Sequence, residues 1–183
     1  MKILDIGCGP EISKYKSNNP KDKVIGLDKF HVSGADVIAD LECTLPFKDN
    51  SFDVVNASHV LEHIENFFEL LSEIYRILKP NGTLKIKAPY FSSPHAFTNP
   101  THKRFFTYTT FEFFEEKYEE NQYCKGKFYK IINRKLNFSF NKKYASLNKI
   151  INPLVNRFPT IYQHLFSYII PCDEIIVEMK PIK

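Results

Sequence analysis

The 183-residue chain is 43% hydrophobic and 25% charged, a balance that excludes disordered and fibrous classes and suits one domain, residues 1–183, with a real core. Its four cysteines, Cys8, Cys43, Cys124 and Cys172, form no Cys-x-x-Cys pair, which argues against a zinc knuckle or a disulfide framework and fits a reducing cytoplasm. A strand begins within the first residues, leaving no room for a signal peptide, and no apolar run reaches the ~18 residues of a membrane span, so a cytoplasmic protein without a transmembrane segment is expected. The net charge of +4 conceals an asymmetry: residues 1–120 carry 14 basic and 18 acidic side chains, whereas residues 121–172 carry nine basic and none acidic. A basic stretch of that length favours phosphates, nucleic acid or an anionic membrane surface, unless it is simply a solvated face.

In chain order, Lys2-Ile-Leu-Asp-Ile6 reads as a buried strand left by the tight turn Gly7-Cys8-Gly9, with Pro10 placed to open a helix. Val24–Asp28, Ala35–Asp40 and Phe52–Ala57 read as the next three strands. From Val60 to Leu78 apolar residues recur at the three-and-four spacing of an amphipathic helix, which Lys79-Pro80-Asn81-Gly82 ends. Thr83–Ala88 is a fifth strand. Residues 90–108 read as an aromatic, proline-containing loop, and Thr109-Thr110-Phe111-Glu112 has the form of a capping box opening a helix to about Tyr118. Residues 127–140 read as a sixth strand and Glu174–Met179 as a seventh. Between them residues 144–172 form a helical insertion, read as short helices broken at Pro153, Pro159 and Pro171. Strands alternating with helices imply crossover connections, hence a doubly wound, mostly parallel seven-stranded sheet with helices on both faces.

In such a sheet, ligands sit beyond the carboxyl ends of the strands. Gly7 and Gly9 let the backbone approach a ligand closely, a helix after Pro10 would turn free N–H groups toward a carboxylate, Asp28 can accept from both hydroxyls of a ribose, and Asp40 from an exocyclic amine such as that of adenine. The set fits a nucleoside with a charged group attached. Asp-x-Gly-x-Gly at 5–9, Gly-Leu-Asp at 26–28, Ala-Asp-Leu at 39–41, Leu-Pro-Phe with Ser-Phe-Asp-Val-Val at 45–55, Ser-His-Val-Leu-Glu-His at 58–63 and Leu-Lys-Pro-Asn-Gly at 78–82 together resemble the class I S-adenosylmethionine-dependent methyltransferases, most closely the subgroup that modifies small molecules and sugars.

The resemblance covers residues 1–90 and makes that half the cofactor-binding part of a Rossmann-like methyltransferase fold, which implies an antiparallel last strand and S-adenosylmethionine as cofactor. It implies that Gly7, Cys8 and Gly9 face the methionine part, that Asp5 organises the turn, that Asp28 binds the ribose and Asp40 with Leu41 the adenine, and that Ser58 and His59 line the cofactor. Two departures stand out: Pro10-Glu11 replaces the family's third glycine, and the N-terminal helix that usually precedes the first strand is missing, so closure of the site must come from residues 90–120 or from a second subunit in a homodimer.

Residues 90–172 are the expected acceptor and lid region. On the loop after strand five, His95 or His102 can serve as general base for a hydroxyl acceptor, with Lys103 or Arg104 holding a phosphate or carboxylate; the alternative is that these residues only brace the loop. Residues 147–171 interleave apolar with basic or polar groups and suit either a membrane surface or a helical cover. Three rivals are set aside. A dinucleotide-binding oxidoreductase needs glycine where Ile12 stands. His59-Val60-Leu61-Glu62-His63 matches a zinc-peptidase pattern but lies within the methyltransferase motif series, so no metal is expected and His63 reads as an ordinary helix residue. Ala88-Pro89-Tyr90 and Pro171-Cys172 look like base-methylation motifs in the wrong places. The expected function is methyl transfer from S-adenosylmethionine to a small or carbohydrate-like acceptor, anionic or lipid-linked, at oxygen; the alternatives are an RNA-modifying methyltransferase and a cofactor-binding module without turnover.

Overall fold

The computed structural model describes residues 1–138 and 145–183; the end of the expected sixth strand at 139–140 and the start of the helical insertion at 144 lie outside the described residues. Strands β1 (Lys2–Ile6), β2 (Lys23–Asp28), β3 (Val37–Ile38), β4 (Phe52–Ser58), β5 (Leu78–Pro89), β6 (Tyr129–Asn137) and β7 (Glu174–Pro181) form one sheet in the order β3-β2-β1-β4-β5-β7-β6. The first five are parallel, and β7 runs antiparallel to both of its neighbours. From β1 the chain steps outward to β3 and then returns to β4 on the other side, so the strand order reverses between β1 and β4, where open α/β sheets bind ligands.

Strand alternation sorts the two faces. Leu4, Ile6, Val55, Ala57, Leu84, Ile86 and Val177 are buried and belong to the same core as α1 (Phe67–Ile77), which contributes Phe67, Leu70, Leu71, Ile74 and Ile77. Their neighbours Asp5, Asn56, Lys85 and Glu178 point the other way by the same alternation. Over that face, at β1, runs the segment 10–16, with Lys85 Nζ 5.9 Å from the Tyr15 ring centre. The abundance of phenylalanine is explained at the N-terminus of α1, where Phe67 and Phe68 meet Phe106, Phe113 and Phe114 with ring centres 5.6 to 5.9 Å apart, seating the loop that follows β5.

Several elements differ from expectation, each with a local cause. The helix expected after Pro10 does not form, only a turn: the Pro10 carbonyl accepts from the N–H groups of Ser13 (2.8 Å) and Lys14 (3.2 Å), and the next donor, Tyr15 N–H, is taken by the Asp5 carboxylate at 2.7 Å, a side-chain acceptor competing with helix propagation. Strand β3 has only two residues, because the Asp36 carboxylate accepts from Gly26 N–H (2.7 Å) where a further ladder bond would form. The long helix expected from Val60 is divided into a 3₁₀ turn at Leu61–His63 and α1. At the break, the N–H groups of Glu65 and Asn66 donate to the Glu42 carboxylate (2.7 and 2.8 Å), which suits the positive end of α1.

Strand β5 starts at Leu78 and runs through Pro80-Asn81-Gly82, with a register shift against β4. Within the loop after β5, Pro94–Thr98 forms α2, capped by Ser93 Oγ accepting from His95 N–H. Thr109 makes no cap; Thr107 N–H donates to Thr110 Oγ1 (2.9 Å) instead, and only a 3₁₀ turn, Thr110–Phe114, follows. Pro153 lies inside α3 (Ala145–Arg157), and Pro159 opens α4 (Pro159–Ile161). Among the described residues no helix is long and apolar enough to cross a membrane.

Candidate active site

Two groups of residues gather at the carboxyl ends of the parallel strands. The first is built on the turn after β1. Gly7 and Gly9 adopt φ of +63° and +61°, and Gly9 N–H donates to Asp28 Oδ2 at 3.0 Å, tying the turn to the end of β2. Asp28 Oδ1 accepts from Phe30 N–H (3.0 Å), so each carboxylate oxygen keeps acceptor capacity. Cys8 N–H donates to the Leu27 carbonyl (3.1 Å), and its buried thiol is pushed up to about 11, by burial first and then by Asp5 and Asp28. Asp5 is buried beneath the turn, accepting from Tyr15 N–H and from the Asn56 amide, both at 2.7 Å; burial nevertheless holds its carboxyl above the usual range.

Ala39 N–H donates to the Asp28 carbonyl (3.0 Å), which brings Asp40 and buried Leu41 alongside. Asp40 pairs with Lys29 at 2.8 Å and is lowered by that bond. Ser58 ends β4 beside the same turn. These residues fit S-adenosylmethionine: two glycines in the left-handed region, room at Gly9, where a Cβ would meet only Ser13 at 3.7 Å, and a carboxylate with spare lone pairs at the end of β2.

The second group lines a cavity of about 380 Å³ that takes in His59, Glu62, His63, His95, His102 and Glu174. His59, expected beside the cofactor, has its backbone in the left-handed region (φ +52°) and turns its imidazole toward this cavity. There Nε2 lies 3.1 Å from Glu174 Oε1 and Nδ1 3.6 Å from Glu62 Oε1. Bonds to Glu174 and Glu62, outweighing burial, raise His59 to about 9, so it is cationic at neutral pH. Glu174, pushed up by burial but held down by His59, Lys87 and Asn137, falls to about 2.

His102 donates Nδ1–H to the Ala96 carbonyl (2.8 Å), and among the described residues no hydrogen bond engages the exposed His95 ring. The charged ends of Lys103 and Arg104 are occupied elsewhere. Lys103 pairs with Glu65 (2.6 Å), and Arg104 donates to the carbonyls of Ile64 and Glu65 while covering the Phe67 ring at 5.0 Å. They brace the loop against the break before α1.

Sequence reasoning set Glu62 and His63 aside with the zinc-peptidase pattern and missed Glu174. The first two lie in the His59–His63 pattern, but only the fold brings His102 to them. Glu174 carries no local signal: it begins a strand, and because β7 is antiparallel its first residue meets the carboxyl ends of its neighbours.

Residues 4–86 match the family model described as a methyltransferase domain. Over these residues the chain is similar to methyltransferase domains, the class that its motifs resemble. Cycloartenol-C-24-methyltransferase 1 of Oryza sativa is 31% identical over 120 residues, 57% of this chain and 35% of that protein. Demethylmenaquinone methyltransferase of Listeria monocytogenes is 33% identical over 99 residues, 45% of this chain and 42% of that protein. The chain therefore spans well under half the length of these curated relatives. A crystal structure of a SAM-dependent methyltransferase from Archaeoglobus fulgidus superimposes with a TM-score of 0.60 over 98% of this chain and 85% of that one, at 23% identity, and shares the fold.

Proposed function

We propose that the protein transfers the methyl group of S-adenosylmethionine to an oxygen of a small acceptor, carbohydrate-like or lipid-linked, bound in the histidine cavity. The observation that carries this reading is the cavity itself, a pocket of imidazoles at the ends of β4 and β5 next to the turn where the cofactor residues gather. In this reading Gly7, Cys8 and Gly9 receive the methionine part, Asp5 fixes the turn from below, Asp28 accepts from the ribose hydroxyls, Asp40 and Leu41 hold the adenine, and Ser58 with the backbone of His59 borders the cofactor. The bound cofactor supplies a methyl group already activated by its sulfonium. The chain's own tasks are alignment, exclusion of water and removal of the acceptor proton. His95, exposed at the cavity, is the general base, while cationic His59 steadies developing negative charge on the acceptor oxygen.

The lipid-linked version is favoured by the surface of α3, α4 and the turn after them, where Leu154, Phe158, Ile161, Leu165 and Ile169 are exposed within the acid-free basic stretch. The matched relatives are named for cycloartenol and demethylmenaquinone. Apolar exposure of this kind suits an anionic membrane better than RNA, for which basic charge alone would suffice.

Calorimetry with S-adenosylmethionine and its demethylated product tests the cofactor half; Asp28→Ala weakens both by about 10- to 100-fold, the scale of one or two lost hydrogen bonds. Radiolabelled methyl offered with lipid, glycan and RNA fractions tests the acceptor, the label entering the lipid or glycan fraction with the wild type and far less with His95→Ala. No heat with either ligand, or label found only in RNA, overturns the proposal.

A further inference from the structure

We infer that Glu62, His63 and His102 hold one divalent transition-metal ion in the acceptor cavity, leaving coordination positions open for a hydroxyl oxygen of the acceptor. One nitrogen of each imidazole and one carboxylate oxygen of Glu62 lie within 4.8 Å of one another. Glu62 is 1% exposed, and its enclosed Oε2 accepts no hydrogen bond, while Oε1 faces His59 at 3.6 Å. A buried carboxylate oxygen left without a donor is costly unless a cation completes it.

The hydrogen bonds around the two histidines fix their tautomers in the form that binds metal. The Ala96 carbonyl can only accept, so His102 carries its proton on Nδ1 and keeps the Nε2 lone pair. Thr101 N–H donates to Asn99 Oδ1 (3.0 Å), which fixes the orientation of that amide, and Thr101 Oγ1 gives its one proton to the same oxygen (2.8 Å). Thr101 Oγ1 therefore accepts from His63 Nδ1–H at 2.8 Å, and the Nε2 lone pair of His63 is free as well. Metal-binding histidines are oriented in this way, by donating the other ring N–H to an oxygen.

The frame is stitched together before any ion arrives. The Glu62 carbonyl accepts from Lys103 N–H (2.7 Å) and Arg104 N–H (3.2 Å), locking the His102 loop to the turn that carries Glu62 and His63. Two imidazoles and a carboxylate select a borderline cation such as zinc, iron(II), cobalt(II) or manganese(II) over calcium, and three protein ligands leave the site open, as in catalytic rather than structural centres. An ion there would lower the pKa of a coordinated hydroxyl and present its oxygen to the methyl donor. This role in acceptor binding rests on the methyl-transfer reading above; the binding of the ion does not.

The test uses the untagged protein, stripped with chelator and titrated with cobalt(II), followed by visible absorption and by calorimetry. One equivalent binds per chain with the absorption of a nitrogen- and oxygen-ligated site; His102→Ala and Glu62→Gln each weaken it at least tenfold, and His164→Ala, at an exposed position on another element, leaves it unchanged. Unaltered S-adenosylmethionine affinity in His102→Ala shows that this variant is folded. Absence of a stoichiometric site in the wild type, or retention of full affinity in both ligand variants, overturns the inference. If cobalt binds as described but chelation leaves methyl transfer untouched, the assigned role in the acceptor site falls. Failure to bind S-adenosylmethionine would strike the methyl-transfer reading instead.

Discussion

At Gly7 a Cβ would sit 2.5 Å from Val60 Cγ2, and the backbone there has φ +63°, so both space and conformation admit only hydrogen. Gly7→Ala is expected to cost about 2–4 kcal/mol, from left-handed strain together with overpacking, and chemical denaturation would measure it; a loss under about 1 kcal/mol would show that the turn relaxes around a methyl group. Residues of this kind were legible in the sequence because each acts where it stands: Asp5, Gly7, Gly9 and Asp28 close a strand or a turn, and their spacing is local. His59 was legible as a site residue but not in its direction, since its orientation is set by Glu174, more than a hundred residues away. Glu62 was hidden for the opposite reason. Its place among apolar residues in a helical pattern gives no hint that one oxygen is enclosed without a donor.

The element that best shows how side chains redraw a predicted boundary is α1. Arg76, in its last turn, donates to the carbonyls of Phe47 (2.7 Å) and Leu45 (3.1 Å) and to the carboxylates of Asp49 and Glu73, while Glu73 also accepts from Leu45 N–H (3.0 Å). The loop 45–49 is thereby fastened beneath the helix. The Arg76 bond, opposed by burial and reinforced by Leu45 N–H, holds the Glu73 carboxyl below its usual 4.5. A folded-state value below the unfolded one means that Glu73 stabilises the protein above that unfolded value, and that the contribution is lost as the pH falls through the lower, folded one. Glu73→Gln should therefore cost about 1–3 kcal/mol at pH 7, the range of a charge-assisted bond, with wild type and variant converging as the pH drops below 4.5. A difference in melting temperature that persists unchanged at pH 3 would refute the assignment. Periodicity revealed this helix but not its start, because the break at Ile64–Asn66 is made by Glu42 and Arg104, residues distant in sequence whose reach no local pattern encodes.

For the molecule as a whole, alternation of strand and helix was enough to predict the mostly parallel sheet, its antiparallel last strand came only with the family resemblance, and the surface of residues 147–171 was legible as a charge imbalance interleaved with apolar groups. The structure adds that Leu165 and Ile169 are 66% and 74% exposed on the same stretch of chain. If this surface rests on an anionic bilayer, flotation with vesicles containing phosphatidylglycerol should retain the protein, Leu154→Asp combined with Phe158→Asp should reduce the bound fraction severalfold, and raised salt should weaken binding more gently than it weakens binding to RNA. Equal retention of the double variant would argue that charge alone is responsible.

The position of β7 has a consequence for the birth of the molecule. It lies between β5 and β6, so while the chain emerges from the ribosome β6 has no strand to pair with, and the edge of β5 stays open, until residues 174–181 follow. The same segment delivers Glu174 to His59 and Lys87. Residues 174–181 must thus have been synthesised before either the sheet or the histidine cavity is complete, and a nascent chain halted before Asp173 should remain dependent on chaperones, however well its first five strands are formed.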